Sequence, residues 1–153
     1  MSKVQERLAA AGIQLPTPNA PVANYVPFVR AGDIVHISGQ VSVDASGGIR
    51  GVVGEDVDFE TAVRAARICG INLLAQMKAA LGSLDRVERV VKLGAFINSA
   101  GDFTDQPKVA NGASELMQDV FGEAGRHARS AVGVPVLPLG AAVEVDAIVA
   151  VRR

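Results

Sequence analysis

The spacing of apolar residues changes period several times along the chain, and each change marks an element. Val4, Leu8 and Ala11 share one face of a helix over residues 3–11, which Gly12 stops. Pro16, Pro18, Pro21 and Pro27 then impose an irregular, extended arm. From Phe28 the run FVRAGDIVHISGQVSV carries two β-branched stretches around Ala31-Gly32-Asp33, the pattern of a hairpin. A further turn is expected at residues 44–48 and a third short strand at 49–53. Across 58–81, Phe59, Ala62, Val63, Ala66, Cys69, Gly70, Leu73, Leu74, Met77 and Leu81 recur at three- and four-residue steps. This predicts a long amphipathic helix ended by Gly82. Residues 89–98 read as a strand, and 98–106 as a polar loop. Pro107 opens a second helix with Val109, Ala113, Leu116, Met117 and Val120 inward, closing at Phe121-Gly122. The end reads as a second hairpin: strand 129–137, a turn at Pro138-Leu139-Gly140, and strand 141–151. The order ββ(β)αβαββ implies an α+β fold, one mixed sheet with two helices on a face.

Composition sharpens this. The 153 residues fit a single domain over 1–153, with residues 1–24 as its N-terminal helix and proline-rich arm. The chain is 49% hydrophobic but only 4% aromatic, so its core is built from Val, Ala, Leu and Ile. A small domain this apolar is expected to cover part of its surface by self-association. Fifteen basic residues balance sixteen acidic ones. Arg126, His127 and Arg129 cluster, as do Arg152 and Arg153, but no broad basic stripe exists, which argues against a nucleic-acid partner. Cys69 is the single cysteine; it forms no internal disulfide and reads as a small buried hydrophobe. His36 and His127 lack cysteine partners at ligand spacing, so no metal site is expected. No signal-peptide core or membrane-spanning run is present, and the expected location is the cytoplasm.

Candidate chemistry lies near the C-terminus. In residues 141–149, Glu144 and Asp146 alternate with apolar positions and so share one strand face. Arg129 opens the apolar stretch ARSAVGVPVLP in the strand expected to pair with it. A guanidinium in such surroundings needs a partner. Two readings stand: an internal Arg129–Glu144 ion pair, or an open site where Arg129 forks onto a ligand carboxylate. Ser38-Gly39-Gln40 at a strand end reads alone as a plain turn, and Tyr25, the single tyrosine, alone as packing. There is no nucleophile elbow and no phosphate-binding loop.

Taken in order, Tyr25, Ser38-Gly39-Gln40, Asn111, Arg129-Ser130 and Glu144-Val145-Asp146-Ala147-Ile148 resemble the pattern of the Rid family, the reactive intermediate deaminases formerly called YjgF proteins. The likeness spans nearly all of the chain from Tyr25 onward. It implies a chorismate-mutase-like fold and a homotrimer with sites in the clefts between subunits. It further implies hydrolysis of enamines and imines such as 2-aminoacrylate to 2-keto acids and ammonia, without metal or cofactor. On this resemblance Arg129 and Glu144 are catalytic: Arg129 pairs with the substrate carboxylate, and Glu144 orients a water and takes its proton. Tyr25, Ser38, Gly39 and Asn111 join Arg129 in binding substrate. Asn24, His127 and Ala131 depart from the pattern, the loop before Asn111 is longer and the arm is extended, which marks a longer subgroup. Two other functions are compatible with the likeness: a non-catalytic trimer that binds or senses a 2-keto acid, and an RNA-directed role as endoribonuclease or translation inhibitor, against which the charge balance speaks.

Overall fold

The computed structural model describes every residue except Ala45. Local chemistry sets its helices. In α1 (Lys3–Ala10) the Ser2 hydroxyl accepts from the Gln5 N–H while the Gln5 side chain accepts from the Ser2 N–H, a closed capping box. Asp58 caps α2 (Phe59–Leu81) through Thr61 N–H at 2.8 Å, and Gly82, at φ 81°, ends it in a left-handed turn. Pro107 lies in the first turn of α3 (Gln106–Phe121), where its missing N–H costs no hydrogen bond.

The α2 stripe expected from the sequence is buried, except that Phe59 in its first turn is exposed and Val63 is half-buried. Ala65, Ala75 and Gln76 are buried as well, because α2 touches α3, β2 and β7 at once. All five inward positions of α3 are buried. The two helices meet at Gly112, where a Cβ would lie 2.1 Å from the Val63 carbonyl oxygen. Only a hydrogen fits at that crossing.

The main sheet contains β1 (Phe28–Ala31), β2 (Ile34–Val41), β5 (Val87–Asn98), β6 (Ala128–Val134) and β7 (Val143–Val151), in the order β1-β2-β7-β5-β6. A small ribbon of β3 (Val43–Asp44) and β4 (Gly47–Gly48) spans the expected 44–48 turn, of which Ala45 lies outside the described residues. Residues 49–53 form no third strand of their own. They make single bridges, Arg50 with Ala141 and Val53 with Val57 and Ser99.

The C-terminal hairpin expected from the sequence does not form. β6 runs parallel to β5, with Leu93 beside Arg129, and β7 runs antiparallel on the other side of β5, with Leu93 beside Ala147. The reason is connectivity. The β5–α3–β6 unit is a helical crossover, which lays its two strands parallel. The short link at 135–142 then returns the chain to the middle of the sheet, where β7 gains two ladders instead of one.

β7 alternates strictly. Val143, Val145, Ala147, Val149 and Val151 are buried toward the helices, while Glu144, Asp146, Ile148 and Ala150 face the other way. Cys69 is fully buried in this core; its Sγ donates to Val143 O at 3.4 Å, and burial pushes its thiol pKa well up, so it packs as a hydrophobe. Among the described residues no helix covers the face bearing Glu144. There Val29, in register with His36 and Ile148, is 53% exposed, and Val132, in register with Phe96 and Glu144, is 47% exposed. Among the described residues no helix is long and apolar enough to cross a membrane.

Candidate active site

Two ties hold the proline-rich arm against the domain. Ser38 N–H donates to Pro27 O at 2.9 Å and the Ser38 hydroxyl donates to Val26 O at 2.7 Å. Farther back, the buried Gln76 donates from Nε2 to Asn19 O at 2.9 Å. Between these ties the arm forms one wall of a cavity of about 490 Å³, which Tyr25, Gly39, Gln40 and Glu144 also line. Ser38 does not line it; its hydroxyl is spent on the arm.

Glu144 reaches the cavity because Gly39 has no side chain. Gly39 sits at a register shift in β2 between Ile37 and Gln40, and a Cβ there would lie 2.9 Å from Glu144 Cδ and Oε2. The carboxylate is half-buried and has no ion-pair partner among the described residues. Burial raises its pKa, and repulsion from Asp146 on the same face raises it further. Asp146, packed over Gly94, is itself raised by burial, against opposing contributions from the Gly94 backbone and Lys92.

Arg129 is not in this cavity. Its guanidinium lies against α3, where Nη1 donates to Asn111 Oδ1 and Ser114 Oγ, both at 2.9 Å, and Nη2 donates to Pro107 O at 3.1 Å. A guanidinium has five N–H donors. Three are used, which leaves Nε–H and one Nη2–H without a partner among the described residues. Among the described residues no carboxylate pairs with Arg129. It shares the helix-side face with Leu93 and Ala147, whereas Glu144 and Phe96 point the other way, so the internal ion pair does not hold within the chain. Burial lowers the pKa of the neighbouring His127; the Ala128 carbonyl opposes this, and the Arg129 charge adds a smaller downward push.

The structure thus brings Tyr25, Gly39 and Glu144 to one cavity and joins Asn111 to Arg129 elsewhere. Sequence reasoning missed Ser114, whose spacing of three from Asn111 on one helix face was the available signal. It also missed Gln76, Arg50 and Leu139. Among the described residues, Leu139 is the one non-glycine with positive φ, at 61°, and its carbonyl accepts from Arg50 Nε at 3.1 Å. No group of three His, Cys, Asp or Glu side chains among the described residues is arranged to hold a metal.

This topology, with its arm-lined carboxylate cavity and its arginine braced by a helix, defines a class of small α+β domains with a one-sided sheet. The chain belongs to the family described as "YjgF/chorismate_mutase-like, putative endoribonuclease", whose profile matches residues 5–150. It is 52% identical to Protein TCP17 of Trypanosoma cruzi over 96% of this chain and 93% of that one. It is 28% identical to a Dermatophagoides farinae protein named 2-iminobutanoate/2-iminopropanoate deaminase, over 92% of this chain and 95% of that one. A solved structure from Shewanella oneidensis MR-1, described as a "putative endoribonuclease", superposes with a TM-score of 0.94 at 32% identity, covering 98% of this chain and all of that one.

Proposed function

We propose that the chain hydrolyses imines of 2-amino acids, including those formed from enamines such as 2-aminoacrylate, to 2-keto acids and ammonia, in a cleft built by two copies of the chain. One observation carries this reading. Among the described residues Glu144 sits in a cavity without a counter-ion, and Arg129, equally without one, lies on the other face of the sheet at its β6 edge. Within one copy they cannot hold one small substrate. A second copy whose β6 edge meets the arm and β2 of the first would supply the missing cation. Repeating that head-to-tail contact three times closes a ring. The apolar face around Val29 and Val132 is the surface such a ring would bury. The name of the Dermatophagoides farinae relative points to the same reaction class.

The chemistry follows from the donor set. The two unused N–H groups of Arg129 would take the substrate carboxylate in a forked pair. Ionised Glu144 accepts a proton from water as the water oxygen bonds to the imine carbon, and the C=N electron pair moves to nitrogen. Glu144 returns that proton to nitrogen, giving a neutral carbinolamine. It then carries the hydroxyl proton to nitrogen as the C–N bond breaks, so that ammonia leaves and the keto acid remains. A positioned base of this kind contributes about 10²–10⁴-fold. The imine is already electrophilic, so positioning supplies most of the rest.

The test generates 2-aminoacrylate from serine with a pyridoxal-phosphate dehydratase and follows pyruvate release. Acceleration that is lost in Arg129→Ala and in Glu144→Gln is expected. Undiminished rates in either variant would overturn the assignment. Binding of 2-keto acids with no acceleration would make the protein a carboxylate sensor instead.

A further inference from the structure

The cavity is larger and more apolar than a three-carbon substrate requires. Pockets of roughly 300–1,000 Å³ accommodate drug-sized molecules, and about 490 Å³ lies behind the arm. A 2-aminoacrylate molecule anchored by its carboxylate and imine carbon near Glu144 would leave most of that space empty. The remaining wall is made by Ala20, Pro21, Val22, Val41, Val43 and Leu139. The charged residues Asp44 and Arg50 are exposed, and Arg50 Nε is already committed to Leu139 O.

Two further features hold this apolar wall in place. The arm is pinned on both sides of it, by Gln76 at Asn19 and by Ser38 at Val26 and Pro27. Leu139 occupies a left-handed backbone conformation that branched side chains avoid, and it still presents a side chain that is 55% exposed. Strain of that kind persists only where the surroundings enforce it, and it concentrates at ligand sites.

We infer that the arm and the 138–140 link form a side-chain subsite that selects substrates derived from 2-amino acids with bulky apolar side chains, such as leucine or methionine, over three-carbon ones. The inference rests on the deaminase reading for its substrate class, but the subsite itself binds the 2-keto product equally well. Each buried methylene strengthens binding several-fold, since it removes apolar surface from water.

The experiment has two arms that fail separately. In the first, binding of 4-methyl-2-oxopentanoate and of pyruvate to the full chain is compared by calorimetry. About tenfold or greater preference for the larger keto acid is expected, and equal affinity or preference for pyruvate would overturn the subsite whatever the catalytic outcome. In the second, imines are generated in place by an L-amino-acid oxidase from leucine and from alanine, and kcat/KM is compared. A ratio of about ten or more in favour of the leucine imine is expected, and a ratio at or below one would overturn the inference while leaving deamination standing. Loss of all turnover together with preserved keto-acid selectivity would remove the deaminase reading and keep the subsite. Ala20→Trp, on the exposed arm, should lower both ratios at least fivefold by filling the space; unchanged ratios in a folded variant would show that the arm is not the wall.

Discussion

Arg129 and Glu144 stand on opposite faces of one sheet, in register with Leu93 and Phe96 of the strand that separates β6 from β7. If they serve one substrate, they come from different copies. Refolding an equal mixture of Arg129→Ala and Glu144→Gln chains should then restore about a quarter of wild-type activity, because a closed ring forms that fraction of intact clefts at random. Each variant alone stays inactive. No recovery from the mixture, with native-sized oligomers in sedimentation, would place both residues in one chain's site.

The Glu144 carboxyl titrates above its ordinary range because it is half-buried beside Asp146. As the base of the proposed reaction it would have to be ionised, so kcat/KM should fall as pH drops through a value above the usual 4.5 for glutamate. Stability should move the opposite way. A carboxyl with raised folded pKa contributes fully below its unfolded pKa, and that contribution is lost as pH rises through the folded value. Glu144→Gln should therefore melt higher than wild type near pH 8, with the difference vanishing near pH 4. Equal melting curves at both pH values would contradict the burial of this charge.

A methyl group at Gly39 meets the flexible end of Glu144 rather than backbone. Gly39→Ala should fold normally, shift its melting point by only a few degrees, and lower kcat at least tenfold by displacing the base. Wild-type kcat in this variant would show that Glu144 has no fixed position to lose.

Ser114 shares Arg129 Nη1 with Asn111. Hydrogen bonds to charged groups contribute roughly 1.5–3 kcal/mol. Ser114→Ala should accordingly raise KM about tenfold or more for any carboxylate substrate while kcat changes little. A fall in kcat at constant KM would assign the serine to the chemical step instead.

The helices were legible because their signals are local. Asp58 and Gly82 bracket the apolar stripe of α2, and Pro107 marks the start of α3. Strand pairing was not. Residues 128–134 and 143–151 both look like strands and are joined by Pro138-Leu139-Gly140, so they resemble a hairpin; their separation depends on β5, some forty residues earlier in sequence, lying between them. That nonlocal fact also decides that Arg129 and Glu144 face apart, which alternation along each strand alone could not reveal. Arg129 and Glu144 stand out from their own surroundings, a lone cation in an apolar stretch and a carboxylate on an alternating strand, whereas Asn111, and a functional reading of Tyr25 and Gly39, come only through family likeness. The ties made by Gln76 and Ser114 were hidden because a neutral polar residue in a helix shows no sign of its partner until the fold supplies one.

The braces of Arg129 (Pro107, Asn111 and Ser114) all lie within the continuous stretch 107–129, whereas the cavity is assembled from 19–50, 138–139 and 144. The anchor and the chamber are thus written in separate blocks of the gene product. If Arg129 is the substrate anchor proposed above, substitutions that accumulate in the arm would redraw the chamber while the anchor keeps its grip, so descendants of one ancestor could diversify in what they accept without first surrendering the means of holding it.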